Sequence, residues 1–206
     1  MTTPKAPRGR GRPAGSRAGD PGTRERILGA ARTLFAERGY DKASIRAIAQ
    51  AAGVDAALVH HYFGAKEQVF EAAVEVSFAP ALGATEALTE GTVDRSEAGE
   101  RLARYFLDVW ENPATRAPLL AVLRSAVTNE TAATVLRGFV LRRLLSRVVG
   151  ELDQPDAALR AQLAASQMIG LAVTRYVLKI EPIASVPTEE LVARIAPTLQ
   201  RHLTGA

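Results

Sequence analysis

The chain of 206 residues contains no cysteine, and only 5% of its residues are aromatic. The missing thiols exclude a disulfide framework, a thiolate metal site and a cysteine nucleophile. Long hydrophobic runs are missing too, because the longest charge-free apolar stretch, Ala161 to Thr174, is shorter than the roughly 18 residues of a membrane helix. No apolar segment follows the basic N-terminus, so we expect no secretory signal and no membrane partner, but a cytoplasmic protein.

The charge is divided unevenly along the chain. Residues 1–70 contain 12 Lys and Arg against 6 Asp and Glu, whereas residues 71–206 contain 14 against 16. This asymmetry indicates a polyanion partner for the first part alone, although charge does not distinguish nucleic acid from a membrane surface. Residues 1–22 are rich in glycine, proline and arginine, so we expect disorder there without a partner, with residues 1–20 as a basic flexible arm.

The remaining chain has the period of helices and no useful strand pattern, which predicts an all-α fold. A first helix begins near Thr23, a candidate cap, and stops at Gly39. Ser44 and Asp55 are candidate caps of two short helices that Gly53 separates. Gly64 ends the third helix, and a fourth begins at Ala65.

Longer helical patterns follow after about residue 80. The predicted segments are 95–110, 119–127, 131–149, 155–180 and 188–203. Pro113 and Pro118 bracket an expected break before residue 119, and Pro197 is expected to kink or break the last helix. The predicted architecture is a three-helix head at the N-terminus and a larger antiparallel helical bundle that dimerises.

The first 65 residues have the pattern of a helix-turn-helix, because a tight Ala-Gly turn joins the second and third short helices. We expect the third helix to project its outer face into a DNA major groove. Ser44, at the N-terminus of the second helix, is placed to hold a backbone phosphate. The residues predicted to form the core that fixes the helix angles are Leu34, Phe35, Ile45, Ile48, Val54, Val59 and Phe63.

Residues 24–70 read RERILGAARTLFAERGYDKASIRAIAQAAGVDAALVHHYFGAKEQVF. This segment closely resembles the DNA-binding head of the TetR family of bacterial transcriptional repressors. The resemblance implies a helix-turn-helix DNA-binding domain over residues 21–70 and an effector-binding and dimerisation domain over residues 71–206. The matching elements are Ile27, Ala30, Leu34, Phe35, Gly39, the run of Ser44, Ile45, Ile48 and Ala49, Ala52-Gly53-Val54, and His61-Tyr62-Phe63 followed by Lys66-Glu67.

The resemblance also implies roles for single residues of the head. Those on or near the groove-facing side of the third helix are Ala56, Ala57, Leu58, His60 and His61. Those that contact backbone phosphates are Ser44, Arg46, Tyr62 and Lys66. Leu58 stands where the family often has a hydroxyl residue, and His60 where it often has tyrosine, so base readout by hydrogen bonds is sparse. Leu58 and the alanines are suited to thymine methyl groups.

The adjacent histidines His60 and His61 do not indicate a metal site. Neighbouring residues of a helix point about 100° apart, and no carboxylate or cysteine completes a known ligand spacing. We therefore expect neither a metal nor a cofactor.

The sequence RGRP at residues 10–13 resembles the core of an AT-hook. In that motif two arginines, here Arg10 and Arg12, lie extended in a narrow minor groove, and the glycine between them lets the backbone approach its floor. Generic attraction to phosphates is an equally good interpretation. On either interpretation the arm extends the contact with double-stranded DNA.

A lone head buries little area and reads few bases, so we expect a homodimer on a pseudo-palindromic operator. The segment from Ala164 to Ile180 is apolar on two sides, which favours burial against both its own domain and a partner. A helix at the centre of a monomer core is the alternative. The last helix has an apolar stripe of Leu191, Ile195, Leu199 and Leu203, which would complete an intermolecular four-helix bundle. The predicted interface residues are Leu163, Gly170, Val173, Val177, Ile195 and Leu199.

In the family that the head resembles, an effector pocket lies among the middle helices of the C-terminal domain. Arg124 is the most suggestive residue here, because a charge in an apolar stretch needs a partner: an anionic ligand, or else Asp108 or Glu111. For the other candidates, simple core filling is the alternative. The residues that could line a pocket are Tyr105, Trp110, Arg124, Phe139, Gln167, Met168 and Tyr176.

These patterns predict a ligand-responsive, dimeric, sequence-specific DNA-binding regulator, a repressor that an unknown small molecule releases, and not an enzyme. The body has no glycine-rich phosphate loop or spaced carboxylate motif, and its one histidine, His202, is near the C-terminus. Two alternatives stay open. One is an architectural DNA binder without an effector, which a fully packed body would favour; the other is an enzyme with a DNA-targeting head.

Overall fold

The computed structural model describes residues 21–89, 95–151 and 155–205, and every regular element in these ranges is helical. The prediction of an all-α fold is confirmed. A 3-10 turn, Arg95–Glu97, precedes α5, and two π-helical segments, Val140–Leu145 and Val173–Leu178, follow α7 and α9. The α-helices are α1 (Pro21–Lys42), α2 (Ile45–Ala52), α3 (Ala56–Phe63), α4 (Lys66–Thr89), α5 (Ala98–Glu111), α6 (Pro113–Thr128), α7 (Glu130–Phe139), α8 (Ser146–Glu151), α9 (Ala157–Ala172) and α10 (Thr188–Thr204).

The caps of the two short head helices are confirmed. Ser44 Oγ accepts a hydrogen bond from the backbone N–H of Ala47 at 3.1 Å, and Asp55 Oδ1 accepts one from that of Ala57 at 2.7 Å. Between them Gly53 has a φ of 65°, a left-handed conformation that glycine adopts without the penalty of a Cβ atom. Local chemistry therefore sets both ends of the turn between α2 and α3.

Helix α1 differs from its prediction at the start and agrees at the end. It begins at Pro21, so the expected cap at Thr23 is wrong; the Thr23 side chain is buried inside the helix and its Oγ1 accepts a hydrogen bond from Arg26 Nη2 at 3.1 Å. Gly39 interrupts the helix with a φ of 73° and a ψ of 175°. The break at Gly39 is thus confirmed.

Proline starts α6 and does not break it. The predicted interruption between Pro113 and Pro118 is wrong: the chain breaks at Asn112, whose Oδ1 accepts a hydrogen bond from the backbone N–H of Ala114 at 2.9 Å. Proline at the first helical position loses no hydrogen bond, because that N–H has no partner within the helix. A break at Pro197 is wrong as well, since α10 continues through it to Thr204.

The segment predicted as one helix over residues 131–149 consists of α7, the first π-helical segment and α8. Asn129 caps α7, its Oδ1 accepting a hydrogen bond from the backbone N–H of Ala132 at 2.9 Å. The apolar pattern predicted over residues 155–180 is likewise α9 followed by the second π-helical segment. Inserted π turns are frequent at functional sites, and both of these lie in the body.

One apolar core runs from the head into the body. The predicted head core is confirmed, with Leu34, Phe35, Ile48 and Val59 buried and Ile45, Val54 and Phe63 partly buried against them. Helix α4 continues this core, because its Val69 and Phe70 belong to the same cluster as Trp110 and Leu119 of the body. The position of the head therefore depends on the packing of the body.

Helix α10 packs on α5 of its own chain. Leu191, Leu199 and Leu203 are buried in the body of their own chain, so these three side chains do not face a partner as the predicted four-helix bundle would have them do. The two helices approach at Gly99, where an added Cβ would lie 2.4 Å from the carbonyl oxygen of Ala196. The face that was expected to meet a partner is occupied within the monomer.

Candidate functional site

Helix α3 exposes one face and buries the other. Val59 is buried in the head core, whereas Ala57, His60 and His61 are exposed. Ala56 and Leu58 are half-buried at the borders of this face. We call Ala57, His60 and His61 the outward face of α3; the geometry leaves them available to a partner.

The hydrogen bond of His60 sets the chemistry of its ring. Its Nδ1 lies 2.9 Å from the carbonyl oxygen of Gly64, the residue that follows α3. Because a carbonyl oxygen only accepts, Nδ1 carries the proton and Nε2 is an acceptor when the ring is neutral. An acceptor at this position suits the exocyclic amino groups of adenine or cytosine in a major groove.

The predicted phosphate contacts are not equivalent. Ser44 and Arg46 are exposed at the first turn of α2, while Tyr62 is half-buried and stacks edge-on with His61, ring centroids 5.3 Å apart. Lys66 lies over the Tyr40 ring, with Nζ 4.3 Å from its centroid, and donates a hydrogen bond to the carbonyl oxygen of Asp41 at 3.3 Å.

Burial changes the pKa values of Lys66 and Tyr40 in opposite directions. It lowers the pKa of Lys66 despite the opposing charges of Asp41 and Glu67. It also raises the pKa of Tyr40 to about 12, with help from Glu67, whose Oε1 accepts the Tyr40 hydroxyl proton at 3.2 Å. The Lys66 ammonium group thus already has partners within its own chain, the Tyr40 ring and the Asp41 carbonyl oxygen.

Arg24 is a candidate contact that the sequence analysis missed. Its guanidinium carbon lies 5.1 Å from the centroid of the Phe63 ring, beside the end of α3, and the residue is exposed. Only the tertiary packing of α1 against α3 reveals this position. Arg10 and Arg12 of the predicted arm lie outside the described residues.

A side-chain hydrogen bond joins the head to the body. Asn129 Nδ2 donates to Asp41 Oδ1 at 2.7 Å, while Asn129 also caps α7. Asp41 lies in the segment that leads to Ser44, the cap of α2. The contact was not expected from the sequence, because the two residues are 88 positions apart.

The body encloses an apolar cavity of about 160 Å³. Its walls come from α4 to α10, including the first π-helical segment. Of the predicted pocket residues, Tyr105, Trp110 and Met168 lie in the wall. The other lining residues are Phe78, Ala81, Leu102, Phe106, Val109, Leu119, Leu123, Leu136, Val140, Leu144, Leu145, Val148, Ala161, Ala164, Ala165, Ile169 and Leu203.

The structure does not bring the other four candidates into the cavity wall. Arg124 lies on the exposed side of α6, so it is no counter-ion for a ligand in the cavity. Phe139 is buried against Phe78, with ring centroids 5.4 Å apart. Gln167 is half-buried, and its Oε1 has no hydrogen-bond partner among the described residues. Tyr176 stacks on the Trp110 ring, with the ring centroids 5.6 Å apart, and does not line the cavity.

Among the described residues of the body, Arg175 carries a buried charge. Its Nε and Nη2 donate to Glu111 Oε1 at 3.0 and 2.7 Å, and Tyr176 donates its hydroxyl proton to the same oxygen at 3.1 Å. Burial would raise the pKa of Glu111, but the hydrogen bonds from Arg175 and Tyr176 outweigh it and keep this pKa below its ordinary value. A charge in an apolar stretch needs a partner when it is buried: Arg124 is exposed, whereas Arg175, in the most apolar segment, is buried and paired.

The exposed side of α9 carries a row of apolar and small residues. Leu163 is 42% exposed and Val177 40%, and Gly170 is exposed as well. Leu163 and Gly170 are seven residues apart on one side of α9, and Val177 follows in the second π-helical segment. Val173 and Ile195 are half-buried, and Leu199 is fully buried. Leu199 is therefore not an interface residue, because it cannot touch a partner unless α10 leaves α5.

Two further observations concern only the described part of the chain. No group of His, Cys, Asp and Glu side chains there is arranged to hold a metal ion. None of its helices has both the length and the hydropathy of a membrane span.

Known protein families match both parts of the chain. The family model described as "Bacterial regulatory proteins, tetR family" matches residues 27–73, and the one described as "Tetracyclin repressor-like, C-terminal domain" matches residues 96–203. Together the two models cover the head and most of the body.

Individual relatives agree with these matches. The HTH-type transcriptional regulator BetI of Rhizobium meliloti (strain 1021) is 29% identical over 187 residues, covering 89% of this chain and 91% of that protein. The HTH-type transcriptional repressor KstR2 of Rhodococcus jostii (strain RHA1) is 41% identical over 59 residues, 29% of either chain. The crystal structure of a TetR-family regulator (SCO0857) from Streptomyces coelicolor A3 has a TM-score of 0.71 and 38% identity, covering 92% of this chain and 99% of that one. The names of all three are those of regulators, not enzymes.

Proposed function

Since this chain belongs to the TetR family of bacterial transcription regulators, we propose that it is a dimeric repressor which a small molecule releases from its operator. One observation carries the proposal: α4 is shared by the head and the cavity. Val69 and Phe70 of α4 pack in the head core, and Phe78 and Ala81 line the cavity. A ligand that displaces the cavity wall therefore acts on a helix that also holds the head.

The outward face of α3 is the proposed base-reading surface. Eight residues make α3 short enough to lie within one major groove, and His60 Nε2 is directed away from the bond that Nδ1 makes. Ser44, Arg46 and Arg24 flank this face as proposed phosphate contacts, because they are exposed and offer a hydroxyl or a cation. Lys66 joins them once it exchanges the Asp41 carbonyl for a phosphate oxygen.

The proposed dimer surface consists of Leu163 and Gly170 on α9 and of Val177 in the second π-helical segment. Its exposed apolar side chains would be covered by the same surface of a second copy in a two-fold arrangement. An added Cβ at Gly170 meets nothing within 4 Å, so a larger residue fits the monomer and obstructs only a close approach by a partner.

Sedimentation of two matched variants tests this surface. Gly170→Leu is expected to shift the protein towards monomer. Gly150→Leu, at another helical glycine with no atom within 4 Å of its Cβ, is expected to leave the dimer intact. An unchanged profile for Gly170→Leu would place the interface elsewhere.

Repression and release follow from two states with different head spacings. In a DNA-bound dimer the two α3 helices enter successive major grooves, about 34 Å apart. A ligand that binds better to another spacing shifts the population by its difference in affinity for the two states. The Asn129–Asp41 hydrogen bond is a second route for this shift, because it ties the start of α7 to the segment before α2.

The domain limits and the arm belong to the same proposal. Residues 21–70 form the DNA-binding domain and residues 71–206 the effector-binding and dimerisation domain, with α4 crossing the boundary. Residues 1–20 act as the basic arm, through Arg10 and Arg12. The competing idea of an architectural DNA binder without an effector is less well supported, since the body has a cavity where that idea requires complete packing.

Selection of bound fragments from genomic DNA, followed by fluorescence anisotropy on the recovered duplex, tests the proposal. Ala57→Glu, which puts a negative charge on the outward face, is expected to weaken binding by about tenfold or more through repulsion from the phosphates. Ala193→Glu adds the same charge at an exposed position of α10 and is expected to leave affinity unchanged. Equal affinities for the two variants, or no binding by the unmodified protein at low salt, would contradict the proposal.

A further inference from the structure

The cavity wall contains almost no polar side chains. Its lining residues are Ala, Val, Leu, Ile, Met, Phe and Trp, with Tyr105 as the one ionisable side chain. The Tyr105 hydroxyl donates to the carbonyl oxygen of Pro80, and a Cβ added to Gly83 would lie 2.2 Å from that hydroxyl oxygen. The polar end of Tyr105 is therefore held against the backbone of α4.

The charged groups beside Tyr176, behind the cavity wall, are bound to other groups of the protein. Trp110 separates the cavity from Tyr176, on which it stacks, and Tyr176 donates to Glu111. Arg175 donates hydrogen bonds from Nε and Nη2 to the same carboxylate, and from Nη1 to the carbonyl oxygens of Ile183 and Val186. Arg116 also lies behind the wall, with its guanidinium carbon 5.2 Å from the Tyr176 ring centroid, and donates to the carbonyl oxygen of Trp110 at 3.2 Å. An anion in the cavity would have to displace Trp110 and Tyr176 to reach either arginine, and an ammonium group would have to do the same to reach Glu111.

The volume sets the size of the occupant. About 160 Å³ is close to the roughly 150 Å³ of an engineered apolar cavity that stays dry and binds benzene. Ile169 lines the cavity and is 43% exposed, and Leu144, Leu145 and Val148 are half-buried across from it. The cavity thus meets the surface between α9 and the first π-helical segment, where a single ring has a way in.

We propose that the body cavity selects a neutral, compact apolar molecule, about one aromatic or alicyclic ring in size, and rejects organic anions and cations of the same shape. The inference rests on the proposed function, in which this cavity is the effector site. A charged ligand loses its hydration on entry and finds no compensating partner, whereas an uncharged ring loses nothing comparable.

Three probes of one shape test the inference: toluene, benzoate and benzylammonium at neutral pH. Trp110 is the only tryptophan of the chain and lines the cavity, so its fluorescence reports occupancy, and the melting temperature gives an independent reading. Toluene is expected to change both signals, with an affinity at least about tenfold above that of either ion. Benzoate or benzylammonium binding as well as toluene, or no change with toluene, would overturn the inference.

Two variants locate the binding. Ala165→Leu fills the cavity and is expected to abolish the toluene response, with circular dichroism showing that it remains folded. Leu144→Ala enlarges the cavity and is expected to improve binding of naphthalene over toluene. A toluene response that neither variant alters would also overturn the inference. Operator affinity measured in the same samples tests the proposed function separately. If toluene binds the cavity but the protein stays on the DNA, release by a ligand is contradicted, whereas the inferred preference of the cavity for neutral rings is not.

Discussion

Two ion pairs of this protein have nearly equal lengths but different surroundings. Arg175 Nη2 and Glu111 Oε1 are 2.7 Å apart, with the arginine side chain 8% exposed, whereas Arg104 Nη1 and Glu189 Oε1 are 2.6 Å apart with side chains 44% and 72% exposed. We predict that Glu111→Ala destabilises the fold and that Glu189→Ala does not. Burial and the remaining partners both favour this outcome, because exposed Arg104 still pairs with Glu100 at 2.9 Å when Glu189 is removed.

The expected magnitude follows from what Glu111 leaves behind. Without it the buried Arg175 guanidinium loses its carboxylate partner, and the Tyr176 hydroxyl loses its acceptor. Removing one partner of a buried pair costs about 3–5 kcal/mol. Glu111 is 38% exposed and Arg175 keeps its bonds to two backbone carbonyls, so water and these carbonyls offset part of the loss. We therefore expect about 2–3 kcal/mol, or a melting temperature lower by about 4–12 °C for a chain of this size.

Urea and thermal unfolding followed by circular dichroism measure this difference. The protomer concentration has to be held constant, because dimerisation contributes to apparent stability. The control Glu189→Ala is expected to melt within the scatter of repeated scans. Replacing both partners, as Glu111→Leu with Arg175→Met, should recover part of the loss, because no charge is then left buried. Equal destabilisation by Glu111→Ala and Glu189→Ala would refute the reasoning.

The other predictions concern single positions. Gly99→Ala is expected to lower the melting temperature, because its Cβ would meet the Ala196 carbonyl oxygen at 2.4 Å, whereas Gly29→Ala has nothing within 4 Å and is expected to add about 1 kcal/mol through helix propensity. Ser44→Ala should cost about 1 kcal/mol in urea unfolding by removing the cap of α2; Ser44→Asp should keep that stability while weakening DNA binding by its charge. The pKa of Glu111 is lowered in the folded protein, so its contribution to stability is present above its ordinary value of 4.5 and is lost as the pH falls through the lower folded value. Glu111→Gln should flatten this part of the stability curve, and an unchanged pH profile would show that the pair is not its source.

The sequence alone determined the turn between the two short helices of the head. Ser44 and Asp55 bond backbone N–H groups two or three residues away, and Gly53 adopts its left-handed conformation without help from distant residues. Such interactions depend only on neighbours in the chain, so they could be read in order along it. The residues Ala57, His60 and His61 of the outward face were among those that the resemblance to the TetR family implies.

In the body, only the tertiary structure decided which helices pack together and which charged side chain is buried. The apolar period of α10 showed that Leu199 is buried but not that α5 of the same chain covers it, and the sequence drew attention to Arg124 when the buried cation is Arg175. Likewise the bond between Asn129 and Asp41 spans 88 positions. Helical periodicity specifies which side of a helix avoids water, whereas the neighbour that covers it is chosen by the packing of the whole chain.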